Sequence, residues 1–529
     1  MGVFRYARRS TSLGAAVLAA GLALPPSAGA ESPGAGASQT GVLTREPARI
    51  PLDIPDDSYV QGTLSAEGAA LTLLQLGADG MPRRQLTQGE GKQVFRLMAT
   101  VGDTLAITGA AGTAYDLRID RIDRAPEPAS GAGFLSPAIA ALADSLATGG
   151  ETAAFWAERA AEGTPMLETV DGQTVMTFLH RGAQRNVRLL GGPSSDHDWL
   201  ERLGTSDVWF RSYAVPATTR LAYRLAPDVP DIAGSAPERR AAILATAAAD
   251  PLNRAPWPLT APDRFGTWST VALPGAPEQP GFPVTGIDRD QLQETRIRSA
   301  ILGNSRSITF YRPRGFDPAD PDALLLFVFD GPRAISEMQV PGALETLIAR
   351  HRLPPVAAVF IDPIDTASRS RELPGNPRFA DFLADELLPL ALDHFGLTTA
   401  PPRTILAGAS YGGIGASAAA LSRPDSFGAA ISMSGSYWWS PETAKARDLP
   451  WLAETVLAGP PRPVRFFVAA GTFETSRDGT HDIRETSKLV YGLLKARGYD
   501  ATWREYAAGH DSFVWRGTLM DGLIEMFGL

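Results

Sequence analysis

The chain contains no cysteine. That absence removes disulfides, thiolate nucleophiles and every thiolate metal or iron–sulfur site together. At 529 residues it is long enough for buried cores to carry its stability without cross-links. Histidine is scarce, six in all, so an imidazole base has few candidates. Positive charge is outweighed as well: 49 Lys and Arg against 58 Asp and Glu leave a formal charge of −9, a poor match for a nucleic-acid backbone. The apolar stretch near the start, residues 13–24, falls short of the roughly 20 residues a comfortable bilayer span needs. What remains, 44% hydrophobic and 20% charged residues, is ordinary globular composition, and the length suggests two or three domains.

Arg5, Arg8 and Arg9, the apolar stretch and Ala28-Gly29-Ala30 have the layout of an export signal over residues 1–30, cut after Ala30. Arg8-Arg9 also fits twin-arginine export. Cleavage removes three arginines and no carboxylate, taking the formal charge from −9 to −12. Residues 31–44, rich in Gly, Ala, Ser and Pro, read as a flexible leader. Short alternating segments punctuated by Gly102-Asp103, Gly109 and Gly112 predict a small antiparallel β-sandwich over 45–124. It has no clustered histidines or carboxylates, which suits a binding or stabilising appendage. A linker at 125–133 leads to a second, β-rich domain over 134–287, with Ala-rich helical segments and strands such as 174–179.

From 288 to 529 the pattern changes. Apolar strands at 308–312, 324–329, 356–361, 404–407, 429–433, 464–469 and 501–506 alternate with helix-like segments, predicting a doubly wound, mostly parallel sheet. Gly408-Ala409-Ser410-Tyr411-Gly412 follows one of these strands and precedes a small-residue helix, the setting of a nucleophile elbow. The expected fold is therefore α/β: an α/β-hydrolase catalytic domain after two N-terminal domains, the first an all-β sandwich and the second β-rich.

A serine hydroxyl needs a base. His180 and His197 lie in the preceding domain, and His351 and His394 precede the elbow, against the chain order Ser, acid, His of α/β-hydrolases. His510, in Gly509-His510-Asp511 after the last strand, is the preferred base, with His481 as the alternative. The acid that holds the imidazole tautomer should follow the preceding strand, where Glu474 fits and Asp478 is the runner-up, Asp482 lying further along. The developing oxyanion needs two backbone donors: Tyr411 supplies one, and the loop Asp330-Gly331-Pro332-Arg333 supplies Gly331 or Arg333, since Pro332 has no N–H.

At these residues the chain resembles the enterochelin (enterobactin) esterase family. The likeness runs through Ala409-Ser410-Tyr411-Gly412-Gly413, Arg423-Pro424-Asp425-Ser426-Phe427-Gly428, Ser434-Gly435-Ser436-Tyr437-Trp438-Trp439 and Gly509-His510-Asp511-Ser512-Phe513-Val514-Trp515-Arg516-Gly517, with Ile361-Asp362-Pro363-Ile364-Asp365, Arg369 and Glu372-Leu373-Pro374 upstream. Less densely it reaches Gly204-Thr205-Ser206-Asp207-Val208-Trp209 and Asp250-Pro251-Leu252-Asn253. The resemblance implies hydrolysis of the cyclic triester of dihydroxybenzoyl-serine, with Ser410 as nucleophile, His510 as base, Glu474 at the acid position and the β-rich domain as one wall of the cleft. The export signal and extra β-sandwich set this chain apart from the family's cytoplasmic members, so another catecholate ester or a related acyl ester is open as substrate.

A ferric tris-catecholate is an anion, so an acidic protein needs local cations and aromatic faces to hold it. Arg333, Arg369 and Arg371, on loops near strand carboxyl ends, and Trp438 and Trp439 are the substrate-binding candidates. Ion pairing to Glu372 and core packing are the competing uses of these side chains. No cofactor and no protein-bound metal is expected; iron would arrive with the siderophore. No nucleic acid and no lasting membrane insertion are expected, and the periplasm is favoured over secretion to the medium. An exported feruloyl- or acetyl-type esterase and a non-catalytic siderophore-binding protein are the alternatives.

Overall fold

The computed structural model describes residues 36, 38–54, 58–99, 101–123, 134–194, 197–229, 243–244, 246–261, 263–444, 449–475 and 482–529. The expected export signal and the 125–133 linker lie outside the described residues. Two compact units divide the chain, 1–132 and 133–529.

In the first unit β1 (Ser38–Val42), β2 (Ala48–Pro51), β3 (Ser58–Leu76), β4 (Pro82–Ala99), β5 (Thr104–Gly109) and β6 (Ala114–Asp123) form one antiparallel sheet. The long β3 pairs with β4 along its length, with β6 over its first half and with β5 over its second, and a register shift between Ala66 and Leu71 separates the halves. Alternation sends Val60, Leu64, Leu71, Leu73, Phe95, Leu105, Ile107 and Leu117 into one core. The unit is all-β as expected, but hydrogen bonding runs as one sheet interrupted in β3 instead of two separate ones. The leader is also shorter than its composition suggested. Ser38–Val42 pairs with β6 as an edge strand, through backbone bonds that need no apolar side chains.

The second unit opens with helix Pro137–Ala147, whose N-cap Ser136 accepts from Ile139 N with proline in the first turn, followed by helix Ala153–Glu162. The strands β7 (Met166–Val170), β8 (Gln173–Arg181), β9 (Val187–Gly191), β10 (Glu201–Arg202), β11 (Val208–Val215), β12 (Arg220–Pro227), β13 (Pro256–Trp257) and β14 (Trp268–Ala272) make two four-stranded antiparallel sheets, β10-β11-β8-β7 and β13-β14-β12-β9.

An eight-stranded sheet follows: β15 (Leu292–Arg298), β16 (Ser305–Tyr311), β17 (Leu324–Phe329), β18 (Val356–Ile361), β19 (Thr404–Ala409), β20 (Ala429–Met433), β21 (Arg465–Gly471) and β22 (Ala501–Tyr506), in the order β15-β16-β18-β17-β19-β20-β21-β22. The first two strands are antiparallel and the rest parallel. Its central strands are continuous apolar runs because both faces are covered: Leu325, Phe327 and Phe329 enter one core, Leu324, Leu326 and Val328 the other. With both faces filled, chemistry is left to the loops at the strand ends.

The β-rich region and the α/β region have separate sheets but share one compact unit, so the expected boundary near residue 288 is not a break in packing. Gln279 Nε2 donates to Phe513 O at 2.7 Å, and Ala222, Trp257 and Phe513 pack together. Asp511 joins the two most directly. It caps helix Ser512–Phe527 by accepting from Val514 N at 2.9 Å, and its other oxygen accepts from Ala222 N of β12 at 3.2 Å.

Burial, with the nearby Glu474 charge adding to it against the pull of these backbone donors, pushes the Asp511 carboxyl up to about 7. In the unfolded chain it would titrate near about 4. The folded state therefore holds the extra proton between these values, and the contribution is complete below the lower pKa and lost as pH rises through the higher. Wild-type stability relative to Asp511→Asn should fall by on the order of 2 kcal/mol between pH 5 and pH 8. Urea unfolding at both pH values measures it; an unchanging difference would mean that Asp511 is ionised throughout.

Candidate active site

Ser410 sits where β19 ends and helix Tyr411–Ser422 begins, with φ 59° and ψ −121°, a conformation a non-glycine residue adopts only when its surroundings impose it. Those surroundings are visible. Ser410 N donates to Met433 O at 3.0 Å, and Ser436 N donates to Ser410 O at 3.1 Å, fixing the turn from both sides. A side chain at Gly408 would place its Cβ 2.6 Å from the carbonyl carbon and oxygen of Gly412, so the strand and helix can approach this closely only around glycine. The serine hydroxyl lies 3.3 Å from that of Ser436. Gly408→Ala should lower stability by about 1–3 kcal/mol, read by chemical denaturation; an unchanged midpoint would show that the turn relaxes freely.

His510 follows β22, the edge strand of the parallel sheet, and Glu474 follows β21, its neighbour. Backbone bonds align their loops: Thr472 N donates to Tyr506 O at 2.8 Å and Phe473 N to Ala508 O at 3.1 Å. Gly471 is required for this approach, because a Cβ there would lie 2.2 Å from Ala508 O. The result is a 2.5 Å contact between His510 Nδ1 and Glu474 Oε1. The other carboxylate oxygen accepts from Gly471 N at 2.6 Å. The Glu474 side chain is 1% exposed and that of His510 38%, so the carboxylate is enclosed while the imidazole reaches the surface. With Nδ1 committed to Glu474, Nε2 is the nitrogen left to take a proton.

Trp515 links this pair to the serine. Its ring meets His510 edge-on at 4.7 Å, and its Nε1 donates to Ser434 Oγ at 2.8 Å; Ser434 directly follows Met433, whose carbonyl holds Ser410. The β-rich region braces the loop from outside: Arg220 N donates to Ala507 O at 3.0 Å, beside the Asp511–Ala222 bond.

On the other side of Ser410, Asp330 in the left-handed region (φ 55°) starts a short helix, Gly331–Ser336. That helix uses the Arg333 N–H internally, donating to Asp330 O at 3.0 Å, so of the two expected second donors Arg333 is ruled out and Gly331 remains. Tyr411 and Gly331 both occupy first helical positions, where the N–H has no intrahelical acceptor. Arg369 ties the two loops together. Its guanidinium grips Asp330 at 2.6 and 2.7 Å, reaches Ala409 O at 3.4 Å and lies 5.8 Å from the Tyr411 ring.

The proposed substrate contacts thus divide. Arg369 is committed to Asp330 and has no free fork for a ligand, a use that sequence position alone did not reveal. The Arg333 side chain is half-exposed and 3.8 Å from Glu337. Arg371 is exposed and donates to Ser368 Oγ at 3.1 Å. Trp438 stands 6.1 Å from Tyr411, at the elbow. Trp439 instead meets Trp451 edge-on at 5.8 Å against the core, a packing residue. Glu372 bonds a different arginine, Arg306, at 2.7 Å in a buried pair. Asp482 caps helix Ile483–Ala496, and His394 stacks on Phe310 at 4.1 Å. Asp478 and His481 lie outside the described residues. Ser436, the Ser434–Trp515 bond and the Asp330–Arg369 clamp were not anticipated as parts of the site, although all fall within motifs read from the sequence. Among the described residues no group of three or more His, Asp or Glu is placed to hold a metal ion, and no helix is long and apolar enough to cross a membrane.

A strained serine at the end of a central parallel strand, with a carboxylate-bound histidine on the same sheet, is the arrangement of a carboxylic ester hydrolase. Comparison with known proteins agrees. The profile of a putative esterase family matches residues 299–526, and that of the enterochelin esterase N-terminal domain matches 175–282. The iron(III) enterobactin esterase of Dickeya dadantii is 32% identical over 427 residues, 73% of this chain and 94% of that enzyme. The iron(III) salmochelin esterase of Escherichia coli is 30% identical over 409 residues, 73% and 97%. The crystal structure of the Shigella flexneri enterobactin esterase in the presence of enterobactin superposes with a TM-score of 0.57 at 29% identity, covering 71% of this chain and 97% of that one. The ferric enterobactin esterase of Salmonella typhimurium gives 0.59 at 28% identity, with 70% and 98% covered. The chain belongs to the enterobactin (enterochelin) esterase family.

Proposed function

We propose that the protein hydrolyses the ester bonds of a catecholate siderophore of the enterobactin type, free or iron-loaded. The observation that carries this reading is the contact of the enclosed Glu474 carboxylate with His510, on the same sheet as the Ser410 elbow, in a chain that aligns with nearly the full length of enzymes named for cutting enterobactin. Ser410 Oγ attacks the ester carbonyl as His510 Nε2 takes its proton; Glu474 holds the imidazole and stabilises its cationic form. The oxyanion rests on the N–H groups of Tyr411 and Gly331. The alcohol leaves with the proton from His510, and water, deprotonated by the same nitrogen, then releases the acid and restores Ser410. Trp438 and the exposed Arg333 and Arg371 side chains contribute aromatic surface and positive charge for the anionic substrate. Iron is cargo of the substrate. The amino-terminal sequence supports export, with the periplasm as the working compartment because released iron can still be captured there.

Chromatography of dihydroxybenzoyl-serine fragments released from free and ferric enterobactin tests this directly. Ser410→Ala should reduce release by roughly 10⁴-fold or more, and Glu474→Gln by roughly 10³–10⁴-fold. Fragment release that survives Ser410→Ala would overturn the nucleophile. Loss of simple aryl-ester turnover in the mutant, with no siderophore cleavage by wild type, would retain the hydrolase and remove the substrate. Arg369→Lys keeps the charge but not the fork that grips Asp330. It should lower kcat by roughly 10–100-fold with KM nearly unchanged, whereas a substrate-binding arginine would act mainly on KM.

A further inference from the structure

A cavity of about 660 Å³ opens between the β13–β14 region, the segment around Gln279 to Val284 and the first turns of the C-terminal helix. It contains none of the catalytic candidates, yet it begins close to them. Phe513 and Arg516 line it, while His510 lies just before the same helix and Trp515, next to Arg516, touches His510. Its size suits one small aromatic molecule with space to spare.

The walls combine aromatic faces with a half-buried cation. The Arg516 guanidinium lies 4.4 Å from the ring centres of both Phe282 and Phe513 and 5.7 Å from that of Trp257. Its Nε donates to Gln279 Oε1 at 2.8 Å, and Gln279 is held in turn by the Phe513 carbonyl. That partner is neutral. Among the described residues Arg516 has no carboxylate within ion-pair distance, and neither terminal nitrogen has a hydrogen-bond partner. Burial, reinforced by the charge of Arg220, pulls its pKa down to about 10 against the opposing charge of Asp511. Arg220 also lines the cavity and is spent on a carbonyl, Pro277 O, at 2.5 Å. One carboxylate, the exposed Glu278, stands at the wall as well. A half-buried arginine among aromatic rings, with its fork paired to no carboxylate, is suited to receive an aromatic anion.

We propose that this cavity is a binding subsite for an aromatic anion, which on the proposed function is a dihydroxybenzoyl group. The ring packs against Trp257 and the phenylalanines, and a carboxylate or catecholate oxygen meets the open edge of Arg516, a charge-assisted contact. Two sources share this chemistry, an arm of the bound siderophore and the released dihydroxybenzoyl-serine.

The test is equilibrium binding of dihydroxybenzoyl-serine to the full chain carrying Ser410→Ala, measured by calorimetry, with and without Arg516→Gln. Thr260→Trp, which fills the cavity from an exposed lining position without removing a packed side chain, gives an independent reading should Arg516→Gln fail to fold. Each change should weaken binding at least tenfold; binding that survives Thr260→Trp undiminished overturns the subsite. In the Ser410-bearing enzyme, a tenfold rise in KM for the siderophore identifies the substrate arm as occupant. A weaker product inhibition at constant KM identifies the released acid. Cavity-dependent binding without Ser410-dependent siderophore cleavage would overturn the proposed function and leave the subsite standing, while cleavage without cavity-dependent binding would do the reverse.

Discussion

The chemistry at the edge of the large sheet depends on one enclosed carboxylate. Glu474 is almost wholly withdrawn from water, and a buried anion is tolerable only when its oxygens are satisfied. One oxygen takes the Gly471 N–H within its own loop and the other the His510 imidazole, which reaches it because the loops after β21 and β22 are stitched together by their backbones. The imidazole is thereby held in one orientation with its outer nitrogen unspent. Losing the His510 contact would leave the carboxylate short of a partner, so the constraint that positions the imidazole is also one the fold cannot relax cheaply.

A similar economy governs the other side of the serine. The end of a strand, the start of a helix and the loop after β17 converge there, and the Asp330–Arg369 grip holds the loop against the carbonyl of Ala409. The arginine's fork is spent on holding the loops that carry Gly331 and Tyr411 together. A cation read from sequence as a substrate contact can thus be a positioning device, and the difference lies in whether its planar fork is already filled.

The legible parts of this protein were those whose physics is local. The parallel strands announce themselves as apolar runs because both faces are covered, and the Gly-x-Ser-x-Gly spacing encodes a steric demand that Gly408 displays directly. Strand β15 gave no such signal: as an outer strand with a polar, partly exposed pattern it reads Leu-Gln-Glu-Thr-Arg-Ile-Arg, and pairing to β16 alone makes it a strand. Ser38–Val42 was hidden in the same way by its leader-like composition. Contacts between distant segments were also out of reach of pattern. Neither the Trp515–Ser434 bond nor the union of two regions through Asp511 follows from any periodicity, and a tryptophan repeat such as Trp438-Trp439 does not say which ring faces the core.

The Asp511–Ala222 bond closes a separation of 289 residues. A ribosome delivers β12 long before it delivers the loop that β12 must brace, and His510 belongs to that later loop. The nascent chain can therefore assemble its early sheets and its serine turn before that brace exists. The segment that carries His510 is delivered last, so the union of the two regions through Asp511 is among the latest contacts the chain can make.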